Sequence, residues 1–190
     1  MTTLLEHSLN AVWIAVGTVW AVGAILAKPA VRREPVAFRL THLALMALGI
    51  WLIFSASARR GPLAWRFAPD AGPVEWFGFG LTLMGAAFAV WARLFLGGNW
   101  SAMVTIKKDH QLVRKGPYAV VRHPIYSGFL LGLFGTALAF GQISALVGLA
   151  LGFVALWFKA QVEERFMVDR FGDEYARYRH DVKALIPYVL

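Results

Sequence analysis

From Ile125 to Phe158 the chain runs for 34 residues without a charged side chain. Few folds accommodate such a run. Inside a bilayer every backbone polar group must be satisfied by the chain itself, so a lipid-exposed segment of this kind has to be helical. One helix crosses a hydrocarbon core of about 30 Å with about 20 residues, so this run is too long for one crossing at ordinary tilt. Gly141-Gln142 is the polar break near its middle. The pattern predicts a tight turn around residues 140–144 and two helices, over 125–140 and 143–162.

Three further apolar stretches, residues 9–27, 38–58 and 74–96, have the length of single spans and are bounded by Arg, Lys, Pro or Gly. Hydrophobic residues make up 58% of the chain and charged residues 16%. Soluble domains have about 45–50% and about 25%, so lipid is the expected solvent for much of the surface. The expected fold is all-α: a polytopic integral membrane protein with about five transmembrane helices. The last two form a hairpin, and a cytoplasmic C-terminal helix follows. No repeat or linker divides residues 1–190, which read as one domain with three N-terminal spans over 1–96 and a functional core over 97–190. The absence of cysteine excludes disulfides, thiolate metal sites and a cysteine nucleophile.

The net charge of +8 has a position as well as a size. Fifteen of the 19 Lys and Arg residues fall in the segment after the first span, the segment after the third, and the tail. Arg59, Arg60 and Arg66 lie on the opposite side, and Arg93 lies inside the third span. The excess of positive charge on cytoplasmic loops then places the N-terminus outside and the 97–123 segment and tail inside, read here as a bacterial inner membrane. Residues 1–8 carry no positive charge, so a signal peptide is not expected. The basic residues are divided among three segments that flank membrane ends, which argues against nucleic-acid binding.

Two clusters carry chemistry. In the first, Gly116-Pro117-Tyr118 marks a turn and His123-Pro124 opens the next helix, because Pro suits the first helical position and extends the residue before it. Tyr118, His123 and Tyr126 then sit near the membrane boundary, where aromatic rings also serve as plain interfacial anchors. In the second, Lys159 and Glu163 share a helix face beside Glu164. They read either as a solvated helix end or as ionisable groups facing a bundle interior, which mark function. His42 and His180 have no partner motif and read as structural or solvated. His110 and His123 lack further ligands, so no metal site is expected. Gly78 and Gly80 lie within a span, which excludes a dinucleotide fingerprint.

Taken in order, His110-Gln111-Leu112-Val113, Gly116-Pro117-Tyr118, Arg122-His123-Pro124-Ile125-Tyr126-Ser127-Gly128, Glu163-Glu164 and Phe171-Gly172-Asp173-Glu174-Tyr175 resemble the isoprenylcysteine carboxyl methyltransferase family and its phospholipid N-methyltransferase relatives. The resemblance covers almost half the chain, from Asn99 to Pro187. It implies a membrane methyltransferase with S-adenosyl-L-methionine as cofactor. It also implies a lipophilic small-molecule or lipid-like acceptor, surrounded by membrane lipid, that enters sideways from the bilayer. Carried over by position, the implied cofactor-binding residues are His110, Gln111, Leu112, Val113, Tyr118, His123, Pro124, Ile125, Tyr126, Glu163 and Glu164. The family places an Arg one helical turn before the first Glu, facing the substrate; here that position is Lys159, which keeps the charge but lacks the planar fork. Arg93 and Arg122 are the other candidates for clamping a substrate carboxylate. Phospholipid headgroup N-methylation is the alternative reaction, and a non-catalytic scaffold or small transporter the alternative class.

Overall fold

The structure, a computed structural model, describes residues 3–25, 32–33, 35–97, 105–106 and 112–190. The helices α1 (Thr3–Ile25), α2 (Val36–Phe54), α3 (Gly72–Leu96), α4 (Pro124–Phe140), α5 (Ile143–Phe171) and α6 (Asp173–Asp181) carry most of them. A two-residue antiparallel pair, β1 (Arg32–Arg33) with β2 (Thr105–Ile106), sets Arg32 opposite Ile106. By length and composition α1, α2, α3 and α5 can each cross a membrane, and α4 is an apolar helix of 17 residues. The chain is thus a helical, polytopic integral membrane protein, and the expected terminal hairpin is present.

The helix ends differ from the expected ones for local reasons. α1 starts at Thr3 instead of residue 9, because Glu6 suits the first turn of a helix and Ser8 returns its hydroxyl to the Leu4 carbonyl at 2.9 Å. α2 stops at Phe54 instead of 58, where the Ser55 hydroxyl accepts the Ser57 N–H at 3.2 Å and turns the chain. α5 continues to Phe171 instead of stopping at 162, since leaving the bilayer does not by itself end a helix. Its end comes where Gly172 adopts φ 51°, a conformation that favours glycine.

The hairpin turn shows how the end of a short apolar helix is satisfied. α4 ends at Gly141, which has φ 68° and donates its N–H to Ala137 at 2.8 Å. The exposed backbone of the turn is covered by the segment before α3. Phe67 N–H bonds to the Gly141 carbonyl at 2.9 Å, and Ile143 N–H bonds to Trp65 at 2.8 Å. Glu6 and Arg59 pair at 3.5 Å at this same end of the molecule. The ends of α3 and α5 and the start of α4 lie at the other.

Backbone proximity holds α3 to α4. Gly78 and Gly85 of α3 face Gly128, Gly132 and Gly135 of α4, and the buried Thr82 and Thr136 hydroxyls meet between them at 3.1 Å. Trp13 of α1 donates its indole N–H to Thr136 at 3.0 Å, joining a third helix. Small residues and shared hydroxyls are the usual adhesive where no hydrophobic force separates helix from lipid. A methyl group on Gly78 would lie 2.6 Å from the Gly135 carbonyl oxygen. Gly78→Ala is therefore expected to lower stability by about 1–3 kcal/mol, read as an earlier thermal unfolding transition in detergent; Gly80→Ala, which meets nothing within 4 Å, is the control.

α1 lies mainly along α3, and α2 mainly along α5. Trp20 of α1, Met46 of α2, Phe129 and Leu130 of α4 and Trp157 of α5, all partly exposed, surround a buried cluster that contains Tyr126. This apolar cluster adjoins the residues described next.

Candidate functional site

The chain arrives at α4 through a 3-10 turn, Gly116–Ala119, with Pro117 at its first positions. The turn buries Pro117 and Tyr118. His123 caps α4 with φ −121° and ψ 61°, and Pro124 starts the helix as expected. Backbone bonds from Arg122 to the Lys183 carbonyl (2.8 Å) and from His123 to the Ala184 carbonyl (2.9 Å) lay the tail against this junction. The first cluster is thereby fixed beside the last turns of α5.

Glu164 is the hub. Its side chain is 3% exposed. One carboxylate oxygen accepts from Arg122 Nε at 2.8 Å and Nη2 at 2.6 Å and lies 3.2 Å from His123 Nε2. The other oxygen pairs with Arg179 Nε of α6 at 3.1 Å. Arg122 also donates through Nη1 to the carbonyls of Arg179 (3.1 Å) and Val182. A buried charge is tolerated only when its partners are this complete. The guanidinium of Arg122 is therefore committed to joining α5, α6 and the tail.

Glu163 differs, with 27% of its side chain exposed. It accepts the Tyr126 hydroxyl at 2.5 Å and lies 3.5 Å from His123 Nδ1. The His123 and Tyr126 rings stack with centroids 5.4 Å apart and planes 4° apart. Lys159, half-buried one turn earlier on α5, sets its Nζ 5.9 Å from the centre of the Tyr126 ring. Ile125 is buried in the same apolar cluster as Tyr126.

α6 closes the far side. Tyr175 and Tyr178 are its buried face, and the Tyr178 hydroxyl donates to the Tyr118 carbonyl at 2.5 Å. Arg114 covers the Tyr178 ring at 5.3 Å and pairs with Asp181 at 3.8 Å. Burial pushes the Tyr178 phenol up to about 12, so it stays a donor throughout the ordinary pH range. Burial, then the charge of Glu163, raises Tyr118 as well.

Burial alone would lower the His123 pKa, but the Glu163 and Glu164 carboxylates outweigh it and the net shift is upward from 6.5. A raised folded-state pKa stabilises the fold fully below about 6.5 and loses that contribution as pH climbs through the raised value. Thermal stability in detergent is thus expected to fall on the alkaline side of 6.5, and His123→Gln should flatten that part of the profile.

The structure gathers Arg122, His123, Pro124, Ile125, Tyr126, Lys159, Glu163 and Glu164, with Tyr118 near enough to sense Glu163. Leu112 and Val113 are half-buried just ahead of the turn. His110 and Gln111 lie outside the described residues. Arg93 is buried in α3, with its guanidinium against Gly23 of α1 and Nη1 donating to the Gly97 carbonyl at 3.3 Å. Two contributors escaped the motif reading. Arg179 completes the Glu164 hub; Tyr175 and Tyr178, three apart on one helix face, were the available signal for a docked α6. His42 of α2 sits beside α5, bonded to the Ala155 carbonyl at 3.2 Å, and no local motif pointed there.

Comparison with known proteins gives this geometry a family. The chain is 38% identical over 104 residues to a protein-S-isoprenylcysteine O-methyltransferase of Schizosaccharomyces pombe, covering 52% of this chain and 43% of that protein. It is 29% identical over 119 residues to protein-S-isoprenylcysteine O-methyltransferase B of Arabidopsis thaliana, covering 60% and 59%. The chain spans about half the length of the curated relatives it matches. Its fold resembles that of a eukaryotic intramembrane Ras methyltransferase, isoprenylcysteine carboxyl methyltransferase, with a TM-score of 0.55, 22% identity, and coverage of 84% of this chain and 55% of the other. The family profile for phospholipid methyltransferase matches residues 74–174, a stretch that holds His123, Tyr126, Lys159, Glu163 and Glu164 and makes up more than half of the 190 residues. On that match the chain belongs to the phospholipid methyltransferase family.

Proposed function

We propose that the chain is an S-adenosyl-L-methionine-dependent methyltransferase that esterifies the carboxylate of an isoprenylcysteine-like, lipophilic acceptor arriving through the bilayer. One observation carries the reading: a partly exposed carboxylate (Glu163), an aromatic pair (His123, Tyr126) and a cation (Lys159) converge beside an apolar cluster contributed by α1, α2, α4 and α5. The donor set fits the cofactor. Glu163 can take its ammonium in a charge-assisted bond, the Tyr126 ring can face its sulfonium, and Tyr118, Leu112, Val113 and Ile125 supply apolar surface for its adenine. His110, Gln111 and Pro124 join this group by position in the family motif. Glu164 acts on the same site indirectly, by holding His123 and Arg122.

When bound, the cofactor supplies an electrophilic methyl group. The chain's own task is alignment, because an anionic carboxylate needs no general base and gains most from being held in line in a dry site. On this reading Lys159 holds that carboxylate, because Arg122 is bonded to Glu164, and Arg93, whose guanidinium lies against Gly23 of α1, is the other candidate. The basic residues flanking the site's end of the helices support a cytoplasmic site and an outside N-terminus in a bacterial inner membrane.

Membranes containing the protein, incubated with methyl-labelled cofactor and a prenylated cysteine acceptor, should yield label released by mild alkali, because esters hydrolyse and methylamines do not. Alkali-stable label in phospholipid would replace this reading with headgroup N-methylation. No transfer at all would leave the scaffold reading.

A further inference from the structure

The tail changes character after α6. Seven of the eleven residues 173–183 are Asp, Glu, Arg, His or Lys, whereas residues 184–190 carry no charged side chain. The first two of these turn inward. Ala184 and Leu185 are buried in one cluster with residues of α3, α4 and α5, Tyr126 among them. Three bonds fix them there: the Lys183 and Ala184 carbonyls accept the Arg122 and His123 N–H groups, and the Leu185 carbonyl accepts the Ser127 hydroxyl at 2.6 Å. Residues 186–190 do the reverse. The Ile186 carbonyl accepts the N–H groups of Val189 and Leu190, each at 3.1 Å, and the backbone oxygen of Leu190 accepts those of Leu185 (2.7 Å) and Ile186 (2.8 Å). This closed turn satisfies its own backbone, yet it leaves Ile186 48%, Tyr188 96% and Val189 74% exposed. Tyr188 also holds φ 64°, a left-handed conformation that side chains other than glycine's rarely adopt.

Apolar side chains held outward by a closed, left-handed turn have given up the option of folding inward, and in water that is unfavourable. The turn is tied to the ends of membrane spans. Ser127 belongs to the first turn of α4, and Val120, two residues ahead of the Arg122 bond to the tail, is itself 51% exposed. Phe95, in the last turn of α3 and 44% exposed, lies against Gly116 at the start of the same 3-10 turn. An uncharged apolar turn that displays a Tyr and follows an exposed Lys, here Lys183, has the composition of a segment at the boundary of headgroups and acyl chains. We infer that the Ile186–Leu190 turn is an interfacial anchor whose partner is the bilayer itself, with Ile186, Tyr188 and Val189 set into that boundary. The same segment supplies the carbonyls that hold Arg122, His123 and Ser127. The bilayer thereby helps to hold the start of α4, and with it the cap residue His123, in place. This role is independent of the reaction that the site performs.

The chain has no cysteine, so single cysteines can be introduced and labelled without removing any. Val189→Cys and His180→Cys, the latter at a side chain of α6 that is 90% exposed, each carry a polarity-sensitive fluorophore in the full chain, reconstituted in phosphatidylcholine nanodiscs. The label at 189 should emit to the blue of the label at 180, be quenched by spin-labelled lipid and be shielded from iodide. The label at 180 should show the opposite. Coupling to the fold is read on unlabelled protein. Val189→Glu removes little internal packing, because the side chain is 74% exposed, but it sets a charge into the boundary. Trypsin cleavage after Lys183, which requires the tail to lift from Arg122, should then run about tenfold faster in nanodiscs, the factor that goes with losing one buried Val side chain. Val189→Leu should stay as protected as the wild type. Iodide that reaches both labels equally, or a Val189→Glu protein cleaved no faster than Val189→Leu, overturns the assignment. The label pair decides the placement even where Val189→Glu does not fold.

Discussion

Glu164→Ala is expected to undock α6 and lower stability by about 3–5 kcal/mol, the usual effect of stripping one partner from a buried ionic network. The size follows from what remains. Arg122 has a side-chain exposure of 9%, and its guanidinium would keep two backbone carbonyls and lose both bonds to the carboxylate. His123, itself buried, would lose one of its two acidic neighbours. Arg179 is 47% exposed and can turn to water. The network is therefore asymmetric. Arg122→Ala should approach the effect of Glu164→Ala, whereas Arg179→Ala should stay within about 1 kcal/mol, as for an exposed pair. Trypsin reads the consequence directly, because Arg177 and Arg179 lie on α6 and become cleavable once it detaches. A Glu164→Ala protein that melts with the wild type and keeps α6 protected would show that α6 is held by Tyr175 and Tyr178 alone. Loss of methyl transfer in this variant would follow from displacement of His123, with Glu163 still present.

Most of the membrane architecture was legible because lipid imposes one rule, a long apolar run, and Gly141-Gln142 broke the last run where the turn forms. What the rule does not encode is where a helix stops once it has left the bilayer. Lys159 marks the end of the apolar stretch, yet α5 runs on to Phe171, so the acidic pair stands on the rigid continuation of a span. For the site, residues that lie close in sequence could be grouped from spacing alone, as with His123 and Tyr126. Long-range choices could not. Arg122 and Lys159 look equivalent as cations beside a motif, and only the approach of Glu164, 42 residues from Arg122, commits Arg122 to a buried ion pair. Arg93 is a similar case, since nothing in its local sequence foretold that α1 would pass it at Gly23. His42 illustrates the converse, since a lone histidine in an apolar helix acquires meaning only when α2 is laid on α5 at Ala155.

The neighbouring carboxylate should behave in the opposite way. Glu163→Gln keeps the shape of the side chain and an oxygen for the Tyr126 hydroxyl, now 2.5 Å away, but removes the charge. Because Glu163 is 27% exposed and is not part of the Arg122–Arg179 lattice, the melting temperature should move far less than in Glu164→Ala, by its share of the His123 stabilisation. Binding of the cofactor should weaken about 10- to 100-fold, the range expected for losing a hydrogen bond to a charged group. Lys159→Ala provides the orthogonal case. Its ammonium lies 5.9 Å from the centre of the Tyr126 ring, and if it holds the acceptor as proposed, the variant should raise KM for the acceptor while leaving cofactor affinity within about threefold. Calorimetric titration of the cofactor product into each purified variant separates these effects without relying on turnover. Equal affinity in wild type and Glu163→Gln would move the cofactor's ammonium away from this carboxylate. The same weakening in Lys159→Ala as in Glu163→Gln would mean that the two residues serve one ligand, and the acceptor's carboxylate would then need another cation.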